Sequence, residues 1–326
     1  MVKDLTVIST FAGGGGSSLG YNLAGYKELL AIEWDSNAAE CLKANFPDLP
    51  VFQQDIKKIT SKKILDFTGL APGELDLLDG SPPCQGFSTT GKRDHKDQRN
   101  NLFIEFVRLL KDLQPRSFLM ENVSGMIIGA NKKTYLLCVD ELKQAGYVIK
   151  SGLYNTKYFG VPQSRERLII IGIRKDLGIA PTLIENKTKP ITVKNAFKGL
   201  NDNSGIEFPD WLKKATLEMI PGNFGREHVE KAFIKYRGNP NGARSFKLLA
   251  WDKPSCTVTK TWILPSGIAH PDKQRYINIS EIKRLCSFPD NYKLPGKFTD
   301  QLARMGNCVP PLFAKHLAEH IKNLLS

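Results

Sequence analysis

The chain has 326 residues, 41% of them hydrophobic and 24% charged, enough to bury a full core and to divide into one large and one small domain. Lys and Arg outnumber Asp and Glu by 46 to 33, and the net charge of +13 with a pI near 9.4 suits a polyanionic partner without identifying one. No apolar run approaches the ~18 residues a membrane span needs, and the first residues hold no long apolar leader, so a membrane or secreted location is not expected. Six scattered cysteines, with no CxxC pair and no Cys/His cluster, predict reduced thiols and no metal site.

In chain order, LTVIST (5–10) reads as a first buried strand, and the glycines of FAGGGGSSLG lead from it into a helix through Ala24. ELLAIEW (28–34), LDLLDGSPP (75–83) and RSFLMENV (116–123) read as further strands, and RLIIIGIR (167–174) is the most β-like run. Short apolar runs alternating with amphipathic stretches predict a parallel sheet covered by helices. From about Asp176 to Pro271 the rhythm gives way to Pro, Gly, Asn and isolated basic residues, the pattern of a smaller, loop-rich domain. Helical patterning returns at 279–288 and 312–325, which predicts that 272–326 rejoins 1–175.

Glycines after a buried strand let backbone N–H groups approach a ligand at the carboxyl edge of a sheet. Here they are Gly13 to Gly16, and Glu33 follows Gly13 by twenty residues, where a carboxylate can take two ribose hydroxyls. Asp55, after PVFQQ, would end another strand and accept from an adenine amino group. The third glycine of GxGxxG is missing, since Ser18 or Leu19 stands there, which argues against NAD or FAD. Adenosine is the ligand these acids favour.

GSPPCQGFS (80–88) sets Cys84 on a proline-stiffened loop just past a buried strand. Most lone cysteines are inert small hydrophobes, but two prolines and polar flanks argue against simple burial here. Four further patterns fall in a fixed order around it. They are FxGxGG (Phe11, Gly13, Gly15, Gly16), ENV (Glu121 to Val123), QxRxR (Gln163, Arg165, Arg167), and LCSFPD followed by GNCVPP (Gly306 to Pro311).

In motif content and order the sequence resembles the DNA (cytosine-5)-methyltransferase family over nearly its whole length. The resemblance implies a Rossmann-like α/β catalytic domain binding S-adenosylmethionine and a smaller target-recognition domain, here 176–271. It implies methyl transfer to carbon 5 of a cytosine in a short duplex DNA sequence.

That carbon is a poor nucleophile until a thiolate adds to carbon 6, the role implied for Cys84. Glu121 would assist at ring nitrogen 3. Arg165 and Arg167, at i and i+2 on an extended segment, would face one side and contact the base or a phosphate. The cofactor would be held by Phe11, Gly13, Gly15, Gly16, Glu33 and Trp34, together with Asp55, Ile56, Pro83, Leu102 and Asn307.

Because the target is stacked inside the duplex, it must be swung out. The polar, basic stretch 87–101 suits a loop that closes over DNA. DNA contacts are expected from Gln85, Ser88, Lys92, Arg93 and Gln163, and from Arg237, Arg244, Thr259 and Lys260 in the variable segment, with Ser255, Thr257, Thr261 and Trp262 also available. The expected partners are double-stranded DNA and, for a monomer in a prokaryotic cytoplasm or encoded by a phage, a companion restriction endonuclease. An RNA cytosine methyltransferase and a non-catalytic DNA-binding protein of the same fold are the rival readings; the first shares the thiol chemistry, and the second is disfavoured by intact Cys84, Glu121 and Arg165.

Overall fold

The computed structural model describes residues 5–82, 100–129 and 131–326. Its elements begin with β1 (Thr6–Thr10), α1 (Gly16–Leu23), β2 (Lys27–Glu33), α2 (Ser36–Asn45), β3 (Val51–Gln53), α3 (Ser61–Thr68) and β4 (Leu77–Gly80). They continue with α4 (Asn100–Leu113), β5 (Ser117–Val123), α5 (Asn131–Gln144), β6 (Tyr147–Asn155) and β7 (Glu166–Arg174). After them come α6 (Val193–Ala196), α7 (Asp210–Leu217), α8 (Arg226–Arg237), β8 (Phe246–Leu248), β9 (Gly267–Ala269), α9 (Ile279–Leu285), α10 (Phe298–Asn307) and α11 (Pro311–Leu325).

Contacts divide the chain into two compact units. The first holds 1–155, 166–186 and 311–326, and is built on a seven-stranded sheet ordered β3-β2-β1-β4-β5-β7-β6. β1 to β5 run parallel, whereas β7 is antiparallel to both β5 and β6, so the expected all-parallel sheet is corrected at this end. Every residue of β1 is buried, as a central strand covered on both faces requires. Phe106 of α4 meets Phe118 of β5 edge-on at 5.9 Å, and Phe118 meets Tyr147 at 5.1 Å. On the other flank α1 packs so closely on α11 that a Cβ at Gly20 would lie 2.5 Å from Ala314 Cβ.

Strand order reverses between β1 and β4: β2 and β3 lie to one side, β5 to the other. An open α/β sheet has its ligand crevice at such a point, beyond the carboxyl ends of the strands.

The second unit holds 156–165 and 187–310. It contains α6 to α10 and the two-stranded parallel ribbon β8–β9, over a core that includes Phe208, Leu212, Phe233, Phe246 and Tyr276. The sequence placed 272–310 with the large domain; by contacts this stretch belongs to the second unit, and so do the ten residues before β7.

Candidate active site

β1 ends in a turn that the chain can make only with left-handed backbone at Phe11 (φ 55°), Gly13 (φ 58°) and Gly15 (φ 87°). Phe11 stands where a glycine is more usual, so part of the turn's shape is held against local preference by its surroundings. Gly15 caps α1, and the helix opens directly on Gly16. The next strand ends on Glu33, only 7% exposed, and its carboxylate gathers three backbone donors. Gly13 N–H donates to Oε2 at 2.7 Å, and the N–H groups of Trp34 and Asp35 donate to Oε1 at 2.9 Å each. A buried carboxylate with charge-assisted bonds of this kind fixes the glycine turn against the end of β2. The adjoining Trp34 is 76% exposed.

Asp55 lies two residues beyond β3 rather than at its end, capping a short 3₁₀ turn by accepting from Lys57 N–H at 3.0 Å. Ile56 follows it, buried in the core of the first unit, and Leu102 packs partly buried against the same core.

β4 delivers the chain toward Cys84. Thr10 Oγ donates to the Asp79 carbonyl at 2.8 Å, and a Cβ at Gly80 would lie 2.5 Å from that hydroxyl and 2.7 Å from the Phe106 ring. Only glycine fits there. Asp79 itself is buried beneath α1; burial raises its carboxyl to about 7, Glu28 and Glu121 add to the rise, and hydrogen bonding from Tyr21 and Ser17 opposes it. Pro83, Cys84, Gln85, Ser88, Lys92 and Arg93 lie outside the described residues, as does most of 87–101.

Asn122 was not singled out for a role by sequence, although it sits inside ENV. Its Nδ2 donates to the Pro82 carbonyl at 3.0 Å while its Oδ1 accepts from Val123 N–H at 2.9 Å, tying Pro82, two residues before Cys84 in sequence, to β5. Next to it, the Glu121 carboxylate pairs with Arg167 of β7, Nε to Oε1 2.7 Å, with both side chains 14% exposed. The antiparallel register of β5 on β7 sets Val123 opposite Arg167 and Glu121 opposite Ile169.

Arg165 and Arg167, expected to face one side, bond to different groups of the chain. Arg165 is buried within the second unit, donating to the Val258 carbonyl at 3.3 Å and the Gly306 carbonyl at 3.0 Å. Gln163, expected on DNA, is fully buried. Its amide donates to the Leu285 carbonyl at 3.3 Å and accepts from Val258 N–H at 3.1 Å, which satisfies a polar group that water does not reach. Gly306, next to exposed Asn307 at the end of α10, has no room for a Cβ against the backbone of Thr259 and Lys260. Thr259, Lys260, Arg237 and Arg244 are exposed in this unit; Arg237 donates to the Asn241 carbonyl at 2.7 Å and lies over the Trp211 ring at 5.3 Å. Among the described residues no helix is long and apolar enough to cross a membrane.

Fold and site together define an α/β methyltransferase, with the glycine turn, Glu33 and the ENV strand at the carboxyl edge of a seven-stranded sheet. Residues 5–323 match the model of the C-5 cytosine-specific DNA methylase family, and the chain belongs to that family. It is 35% identical to the Type II methyltransferase M1.HphI of Haemophilus parahaemolyticus, over 97% of this chain and 86% of that protein. It is 32% identical to the Type II methyltransferase M.PspPI of Psychrobacter sp. (strain TA137), over 99% and 80%. The crystal structure of a candidate DNA modification methyltransferase encoded within an E. coli prophage superposes with a TM-score of 0.75 at 25% identity, covering 99% of each chain.

Proposed function

We propose that this C-5 cytosine DNA methylase transfers a methyl group from S-adenosylmethionine to a cytosine that it swings out of a short duplex sequence, through a covalent bond from Cys84 to carbon 6. The observation that carries the reading is the Glu121–Arg167 pair on β5 and β7, one residue from the bond that ties Asn122 to Pro82, two residues before Cys84 in sequence.

The donor set around the glycine turn fits the cofactor. Glu33 offers a carboxylate already oriented by backbone N–H groups, Asp55 an acid just past β3, Trp34 an exposed indole face, and Phe11, Gly13, Gly15 and Gly16 a turn that leaves backbone open. These residues would hold the adenosine, with Ile56, Pro83, Leu102 and Asn307 completing the site. The bound sulfonium supplies an electrophilic methyl group.

The chain's own residues do the rest. Cys84 adds to carbon 6, which makes carbon 5 nucleophilic; once carbon 5 carries the methyl group a base takes its proton, and the Cys84–carbon 6 bond breaks to release the thiolate. Glu121, oriented by Arg167, faces the cytosine edge and shares a proton at ring nitrogen 3 as the thiolate attacks. Gln85, Ser88, Lys92 and Arg93 close on the DNA from the Cys84 loop, while Arg237, Arg244, Thr259 and Lys260 meet it from the recognition segment, 176–271, whose exposed cations suit phosphate contacts. The chain acts as a monomer in a prokaryotic cytoplasm or as a phage product. The Type II names of its relatives support a role as the modification partner of a restriction endonuclease that cuts the same site.

The test is incubation with tritium-labelled S-adenosylmethionine and plasmid DNA, followed by nucleoside analysis. Label in 5-methyldeoxycytidine is expected. In a parallel incubation with RNA, label there and not in DNA would move the substrate, and label in neither would leave a non-catalytic binder.

A further inference from the structure

Cys286 and Cys308 stand in two segments the reaction does not use chemically, and the fold of the second unit brings them together. Cys286 is the C-cap of α9 and Cys308 the C-cap of α10. Both are buried, and both thiols turn on one acceptor, the Met305 carbonyl, at 3.8 Å from Cys286 Sγ and 2.9 Å from Cys308 Sγ.

Cys286 is electrostatically unusual for a buried thiol. Hydrogen bonding from Cys308, the Arg165 guanidinium and the Gln163 amide, whose Nε2 donates to Cys286 Sγ at 3.3 Å, together hold the Cys286 thiol below its ordinary value against the opposing effect of burial. Cys256 shows the contrast: its sulfur is enclosed though the residue as a whole is half-exposed, and it is pushed up to about 12. Two thiols on one acceptor, one of them also met by an amide N–H, are placed to join, and because both are buried the reaction proceeds through local openings that admit the oxidant.

We propose that Cys286 and Cys308 are an oxidisable dithiol, a modification site at which a hydroperoxide converts the two thiols to a disulfide. The Cys286 sulfur attacks the peroxide, forming an S–O bond as the O–O bond breaks, and hydroxide or alkoxide leaves and takes up a proton. The Cys308 sulfur, giving up its proton, then displaces water from the resulting sulfenic acid and forms the S–S bond. The two sulfurs lose two electrons in total, and the peroxide oxygens gain them.

The product reaches beyond the pair. Forming the bond draws Cys308 off the Met305 carbonyl and Cys286 off Gln163. Gln163 also holds Val258 N–H, and Arg165 holds the Val258 and Gly306 carbonyls. The strain therefore falls on the stretches carrying Thr259, Lys260 and Asn307.

The full-length folded chain is treated with hydrogen peroxide, its free thiols blocked with iodoacetamide, and the digest read by mass spectrometry. The expected result is joint loss of the alkylated Cys286 and Cys308 peptides and appearance of their cross-linked pair, lighter by two hydrogens and restored by dithiothreitol. In Cys308→Ser the Cys286 sulfenic acid persists and is captured by dimedone. Recovery of both cysteines as alkylated thiols after denaturation of the peroxide-treated wild type overturns the proposal, whatever happens at Cys84, because the readout is peptide by peptide and independent of methyl transfer.

Discussion

Glu121 Oε1 lies 2.7 Å from Arg167 Nε, a pairing made across the antiparallel step from β5 to β7. The guanidinium keeps the acid oriented, with both side chains only 14% exposed. Glu121→Gln is expected to lower kcat by about 10²- to 10⁴-fold, the range for a positioned proton-transfer group, with cofactor affinity unchanged. Arg167→Ala is expected to lower kcat less, because the carboxylate remains but loses its orientation. Tritium transfer to plasmid DNA measures both, and a Glu121→Gln enzyme of normal kcat would contradict the assignment.

Glu33 both shapes the glycine turn and supplies the proposed ribose acceptor. Glu33→Ala is expected to weaken S-adenosylhomocysteine binding at least about tenfold, the lower end of the roughly 1.5–3 kcal/mol that hydrogen bonds to a charged group contribute. Calorimetric titration reads it. Unchanged affinity would mean that the turn holds its ligand without this carboxylate.

Arg165→Ala leaves the Val258 and Gly306 carbonyls without their guanidinium donor. Each buried group left unsatisfied costs about 1–3 kcal/mol, so a clear fall in Tm is expected in thermal unfolding. Arg165→Lys is expected to recover little, since one ammonium does not reproduce the two-armed fork. A variant as stable as the wild type would contradict the structural role.

Asp79 gives a pH signature. Its folded value of about 7, raised chiefly by burial, exceeds the roughly 3.9 of an unfolded aspartate. Between those values the folded chain holds a proton that the unfolded chain has lost, so stability from this group falls as pH rises from about 4 to about 7 and levels off above. Asp79→Asn lacks the titration. The Tm of the wild type relative to Asp79→Asn is therefore expected to decline across that window; parallel curves would contradict the buried, raised carboxyl.

Much of this was legible in the sequence, for identifiable reasons. β1, β2, β4, β5 and β7 announce themselves as apolar runs because both of their faces are covered. β6 was missed, since YVIKSGLYN mixes exposed and half-buried positions at the sheet edge. The antiparallel setting of β7 resides in pairing, which periodicity does not encode. Amphipathic spacing correctly marked α9, yet it reports a helix and not the unit that the helix packs in. At the site, the Gly13–Glu33 spacing survived as a direct bond because one strand–helix–strand unit contains both. Gln163 was misplaced because a polar side chain on an extended segment reads as exposed, while its partners lie about a hundred residues further on.

The central claim is thiol attack by Cys84 on a cytosine in DNA. It is tested most directly with tritium-labelled S-adenosylmethionine and duplex DNA containing 5-fluorocytosine, resolved by denaturing electrophoresis. Fluorine does not leave carbon 5 as a proton does, so a labelled protein–DNA adduct is predicted for the wild type and none for Cys84→Ala. An adduct that persists in Cys84→Ala, or a wild type that methylates ordinary DNA yet forms no adduct, would contradict it.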